Sequence, residues 1–94
     1  SQALAALQQA LPIYKELGDR KGEAQTLKNI GETYNNGQYS KALEFFQQAL
    51  VITKEIGDRK GEGTALNTIG VIYTNLGQYV KALEFYQQAL VIHR

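Results

Sequence analysis

The 94 residues predict an all-α solenoid of antiparallel helix pairs with five helices, and two observations carry that prediction. The first is an internal repeat. Aligning Gly18–Lys54 with Gly57–Arg94 gives 25 identical residues in 37 pairs, with a spacing of 39 from Gly18 to Gly57 and 40 from Tyr39 to Tyr79. A period near forty is that of helical solenoids, in which each unit buries its apolar face against the next. The second is the hydrophobic pattern, in which apolar residues recur at steps of three and four and nothing alternates with a period of two.

The helices are expected over 2–17, 20–35, 39–55, 59–75 and 79–93. The opening stretch repeats only the second half of a unit: Leu7-Gln8-Gln9-Ala10-Leu11 and Lys15-Glu16-Leu17-Gly18-Asp19 match Phe46–Leu50 and Lys54–Asp58. Pro12 falls inside it and removes the hydrogen bond to the Gln8 carbonyl, so a kink is expected there, with the stripe Leu7, Leu11, Tyr14 continuing across. In the second helix Ala24, Leu27, Ile30 and Tyr34 form one face. In the fourth Ala65/Leu66, Ile69, Ile72/Tyr73 and Leu76 do the same. The third and fifth carry broader stripes, Ala42/Leu43, Phe46, Ala49/Leu50 and Ala82/Leu83, Tyr86, Ala89/Leu90, widened by Phe45 and Phe85, and so are expected to be the more deeply buried. Gly18 and Gly57 stand where a helix closes in a left-handed residue, and Asp19 and Asp58 follow as N-caps. Gly37 and Gly77 close the turn inside each unit. The second unit carries Leu76 where the first has a gap, so the helix before Asn35-Asn36-Gly37 is expected to end early or its turn to open.

Composition removes whole classes of function. Ten Lys and Arg face nine Asp and Glu, a net charge of +1, which gives no bulk attraction for nucleic acid or an anionic membrane. Without cysteine there is no disulfide framework, thiolate metal site or thiol nucleophile, and the redox compartment leaves no mark; a cytoplasmic location is the expectation. No apolar run is long enough to span a bilayer. The glycines of Gly57-Asp58-Arg59-Lys60-Gly61-Glu62-Gly63 follow no strand and lack the Gly-Lys-Ser/Thr ending of a phosphate loop. His93, the one histidine, has no companion for a metal or a catalytic pair. No enzyme activity, metal or cofactor is expected. The chain opens on Ser1 and stops in mid-pattern at Ile92-His93-Arg94, which suggests an excised or engineered piece of a longer array.

The second unit places Leu66, Ile69, Gly70, Tyr73, Ala82, Tyr86 and Ala89 at the spacing of the tetratricopeptide (TPR) signature, and the first places Leu27, Ile30, Gly31, Tyr34, Ala42, Phe46 and Ala49 there with one residue missing before Ala42. Ala3, Leu7 and Ala10 continue the signature in the opening helix. The chain therefore resembles the TPR family over its whole length. The signature tryptophan is Leu27 or Leu66 here, and the late proline is Lys54 or Arg94. Units near forty residues with a repeated Gly-Asp-Arg-Lys-Gly-Glu resemble the long variety found in Pins-type polarity adaptors and bacterial arrays. The resemblance implies a right-handed solenoid of two and a half TPR-like repeats in one domain over 1–94. Residues 1–17 would be the second helix of a partial repeat, 18–56 a repeat, and 57–94 a repeat without a cap.

The resemblance also implies a protein- or peptide-binding scaffold whose concave groove is lined by the first helix of each repeat and holds an extended segment. The side chains then facing the groove are Gln25, Lys28, Asn29, Glu32, Asn35 and Asn36, followed by Thr64, Asn67, Thr68, Val71, Thr74 and Asn75. Asn and Thr both donate and accept hydrogen bonds, so such a lining suits a backbone read in either sense. Lys28 matches one position of the family's carboxylate clamp, but Glu32 and Thr68 stand where asparagines are expected, so no receptor for chain termini is predicted. Against these readings stands a plain solvated surface for Asn29 and Asn67. The same applies to the Gln pairs at 8 and 9, 47 and 48, and 87 and 88. The basic pairs Arg20-Lys21 and Arg59-Lys60 are expected to be compensated by Asp19/Glu23 and Asp58/Glu62. An alternative function is self-association, because the uncapped ends leave Leu83, Leu90 or Val91 open to stacking or helix exchange between copies.

Overall fold

A computed structural model describes residues 2–92. It contains five helices and, among the described residues, no strand: α1 (Gln2–Leu17), α2 (Arg20–Tyr34), α3 (Tyr39–Glu55), α4 (Arg59–Asn75) and α5 (Tyr79–Ile92). Each helix packs on its neighbours in sequence, most extensively α2 on α3 and α4 on α5, so the chain is two hairpins with α1 laid against the first. The assembly measures 37 × 30 × 14 Å, a slab one repeat pair wide. α1 runs unbroken through Pro12, which lies on its exposed side. The expected extension of α5 to residue 93, and His93 itself, lie outside the described residues.

The contacts inside the two hairpins repeat. An added Cβ on Gly31 of α2 would stand 2.8 Å from the Phe46 ring of α3, and one on Gly70 of α4 would stand 2.8 Å from the Tyr86 ring of α5. Glycine is required at both places because an aromatic ring of the facing helix lies directly on the backbone. One turn further on, Tyr34 stacks on Phe45 with centroids 5.6 Å apart, and Tyr73 stacks on Phe85 at 5.5 Å. The Lys41 ammonium lies 5.3 Å from the Tyr34 centroid and that of Lys81 5.5 Å from Tyr73, closing each stack with a cation–π contact. Between these contacts Leu27, Ile30, Phe46, Leu66, Ile69 and Ile72 are fully buried. Each such side chain stabilises the fold by about 1.5–3 kcal/mol.

Burial runs opposite to the expectation from stripe width. α2 and α4 bury the more, including Gly61, Gly63, Ala65 and Leu66 in α4, whereas α5 buries Ala82 and Ala89, and α1 has no fully buried residue. Position accounts for the shallow burial of α1 and α5, which have a neighbour on one side only, while α2, α3 and α4 each have two.

Between repeats the chain turns tightly. Gly18 and Gly57 take φ of 69° and 71°, and the amides of Asp19 and Asp58 reach back to the Tyr14 and Thr53 carbonyls at 3.0 and 2.9 Å, a Schellman closure. The Asp19 and Asp58 carboxylates then accept from the Gly22 and Gly61 amides at 2.9 and 3.0 Å, starting the next helix. The α4–α5 turn closes in the same way, with the Gln78 amide on the Tyr73 carbonyl at 2.9 Å. The α2–α3 turn cannot. Lacking the residue equivalent to Leu76, α2 stops at Tyr34 rather than 35, two residues shorter than α4, and the Gln38 amide instead reaches the Tyr34 carbonyl at 3.0 Å.

Because Phe46 has no space to move into, Gly31→Ala is expected to lower stability by about 1–3 kcal/mol despite alanine's better helix propensity. Denaturant unfolding measures this, and combining the change with Phe46→Leu should recover a large part of the loss, a non-additivity that marks direct contact.

Candidate functional site

The face of α2 that carries Gln25, Lys28 and Glu32 recurs at steps of four and three, and Thr64, Asn67, Val71 and Thr74 form the matching face of α4. At the N-terminal halves of the two helices these faces meet in an open depression of about 270 Å³ lined by Lys21, Gln25, Lys28, Asp58, Lys60, Gly61 and Thr64. Of the groove residues read from the sequence, the depression brings together Gln25, Lys28 and Thr64. Glu32, Asn67, Val71, Thr74 and Asn75 are exposed further along, and Asn36 is exposed in the α2–α3 turn. Asn29 and Thr68 sit one position round the helix, sharing a face with Gly22 and Gly61. An added Cβ on Gly22 would meet Tyr14 of α1 at 2.5 Å, and one on Gly61 would meet Thr53 of α3 at 3.0 Å. These two residues therefore stand on the edge turned toward the preceding helix.

The hydrogen bonds narrow what this lining offers. The hydroxyls of Thr64, Thr68 and Thr74 donate to the carbonyls of Lys60, Thr64 and Gly70 at 3.0, 2.9 and 3.0 Å. With the proton directed along their own helix, they present acceptor lone pairs outward rather than both senses of hydrogen bond. Donors to a bound chain would come from Lys21, Gln25, Lys28, Lys60, Asn67 and Asn75.

Charge compensation is also narrower than expected. Arg20 pairs with Glu23 at 3.0 Å and with Glu55 at the end of α3, tying the two ends of the hairpin together. Glu55 above all, with Glu23, holds the Arg20 guanidinium above its usual pKa. Among the described residues Lys21, Lys28, Arg59 and Lys60 make no ion pair. Asp19 and Asp58 keep their charge while capping the helices, since each Oδ1 accepts from a neutral backbone amide, but among the described residues neither makes an ion pair. Lys21, Asp58, Lys60 and Gly61 line the depression but were not among the residues expected to face a groove. The signal for the lysines was present, since Lys21 is four residues before Gln25 and Lys60 four before Thr64, continuing each stripe back by one turn.

The sequence model described as tetratricopeptide repeat matches residues 1–55 and again 34–94, two overlapping registers that together span the chain. The chain belongs to the tetratricopeptide-repeat family. Among curated proteins no sequence matches it. TPR repeats mediate protein–protein interaction and are typically non-enzymatic scaffolds. In this TPR chain no helix among the described residues is long and apolar enough to cross a membrane, and no three His, Cys, Asp or Glu are grouped to hold a metal ion.

One of the residues expected to face the groove has an unmet hydrogen bond. Asn35 caps α2 in the shortened turn, and its Oδ1 is buried with no hydrogen-bond partner among the described residues. Its counterpart in the second TPR unit, Thr74, bonds the Gly70 carbonyl at 3.0 Å. A buried acceptor without a donor costs about 1–3 kcal/mol. Asn35→Thr, which can donate to the Gly31 carbonyl, is expected to raise stability by about 1 kcal/mol, measured as a higher midpoint in urea with an unchanged m-value.

Proposed function

We infer that this TPR chain is a peptide-binding module, taking an extended protein segment along the faces of α2 and α4. The observation that supports this most is the open depression between those helices, lined by Lys21, Gln25, Lys28, Lys60 and Thr64, whose side chains reach no other helix for a partner. The polar stripe then continues through Asn67 and Asn75, giving donors and acceptors along a line that an extended chain can follow. Two repeats offer limited surface to offset the ordering of a peptide, so the affinity expected is weak, about 10–1,000 µM. Titrating mixed peptide pools into isotopically labelled protein tests it. The reading holds if amide shifts concentrate on Gln25, Lys28, Thr64 and Asn67, and fails if shifts elsewhere exceed them.

A second reading, self-association, is favoured by the outer face of α5. Tyr79, Leu83 and Leu90 are 68 %, 56 % and 59 % exposed, while their copies Tyr39, Leu43 and Leu50 in α3 pack against the core that α4 completes. The same side chains that seat a helix in one repeat are uncovered in the next, and a second copy could cover them. Sedimentation at rising concentration is expected to show a dimer, with Leu83→Glu and Leu90→Glu together returning it to monomer. Monomer at all concentrations for the unmodified chain removes this reading and leaves the groove.

A further inference from the structure

The depression between α2 and α4 carries three ammonium groups that the fold itself does not use. Lys21 and Lys60 stand in the first turn of their helices, where the unsatisfied amides already give the helix end a partial positive charge, so each is placed against the local electrostatics. No carboxylate forms an ion pair with them among the described residues: Glu23 and Glu55 are held by Arg20, Asp19 and Asp58 cap the helices, and Glu62, in the first turn of α4, pairs with neither. Of the other lysines, Lys41 and Lys81 lie over tyrosine rings, and Lys15 and Lys54 stand in the last turns of α1 and α3, where a positive charge suits the helix end. Lys28, half-buried on the same wall, has no carboxylate or ring partner among the described residues. Charged side chains that oppose their own helix ends, stand across one cleft and recur in both repeats are a local conflict of the kind that folds keep for function.

We propose that this cleft is the acidic-residue subsite of the groove, and that the segment bound between α2 and α4 carries Asp or Glu side chains opposite Lys21, Lys28 and Lys60. The proposal rests on the groove reading and adds the chemistry of its ligand. Asp58, also in the lining, subtracts one charge, but three lysines line the cleft against this one carboxylate, so it remains cationic. Lys21 and Lys28 lie two turns apart on α2, about 10 Å, a distance that an extended chain covers in about three residues. Charges spread over that length fit side chains along a polypeptide better than one small anion. Nucleic acid is a poorer fit because the lining contains no aromatic ring for a base to stack on. The groove changes sign along its length, since Glu32 stands on the same face of α2 beyond Lys28, so the acidic part of the ligand is held at the Lys21 and Lys60 end.

The test uses the 94-residue chain and fluorescent octapeptides of alternating Ser-Glu, Ser-Gln and Ser-Lys, with an oligo-dT strand as a second polyanion. Binding is followed by anisotropy and by amide shifts at about 20 mM and about 200 mM salt. The expected result is that Ser-Glu binds about tenfold more tightly than Ser-Gln at low salt, with shifts at Lys21, Gln25, Lys28, Lys60 and Thr64, and that the advantage shrinks at high salt. Lys21→Gln with Lys60→Gln should bring Ser-Glu down to the Ser-Gln affinity, while the equally charged control Lys15→Gln with Lys54→Gln should not; melting curves check that both remain folded. Equal binding of Ser-Gln and Ser-Glu with shifts in the groove overturns the acidic preference and leaves the groove reading standing. Equal loss in the control pair, shifts outside the cleft, or tighter binding of oligo-dT also overturns it. Binding of no peptide of any composition overturns both readings.

Discussion

Everything in this molecule depends on how closely the two helices of a hairpin can approach. Gly31 under Phe46 and Gly70 under Tyr86 let an aromatic ring lie on the backbone of the facing helix, and the Tyr34–Phe45 and Tyr73–Phe85 stacks hold the far end of the same interface. With the pair drawn together in this way, α2 and α4 are pressed between neighbours on two sides and can bury glycine, alanine and branched aliphatic side chains on most of their surface. What remains of each is a single polar stripe. The candidate groove is that remainder, and its place on the molecule follows from the glycine contacts.

The two repeats are alike in sequence yet differ in how their inner turns close. In the second unit Gly77 and the Gln78 amide complete a Schellman motif; in the first, one missing residue ends α2 early and leaves Asn35 Oδ1 buried without a partner. The aromatic stack, the lysine above it and the glycine contact are nevertheless the same in both. The interior of a hairpin thus tolerates a change in its connecting turn, because the helices are positioned by side-chain contacts along their length and the deletion is absorbed in backbone hydrogen bonds at the end.

Charges in the chain divide into those the fold consumes and those it leaves. Arg20, Glu23 and Glu55 join the ends of α2 and α3; Asp19 and Asp58 start helices; Lys41 and Lys81 cover rings. Taken out of the count, these leave the total near neutral, but the charges that remain are unevenly placed. Lys21, Lys28 and Lys60 remain together in the depression between α2 and α4. Net charge is a sum over the whole molecule, whereas a ligand meets only the charges that are near it and unpaired.

The helices, their junctions and the repeat were legible in the sequence because each is decided locally: a 3.6-residue period, glycine with positive φ at Gly18 and Gly57, a carboxylate at Asp19 and Asp58, and a gap beside Asn36. The exposed polar stripe on α2 and α4 was legible too, since residues at steps of three and four share a face. Which helices are buried most was not, because the stripe of α5 is as apolar as that of α3 and only the presence or absence of a neighbour separates them. Nor was the fate of the charges, because Lys21 looks compensated by Asp19 and Glu23 until the structure gives the first to the Gly22 amide and the second to Arg20. Local order follows from spacing along the chain; burial and pairing follow from which of several equivalent partners tertiary packing brings within reach, and that is a property of the assembled helices.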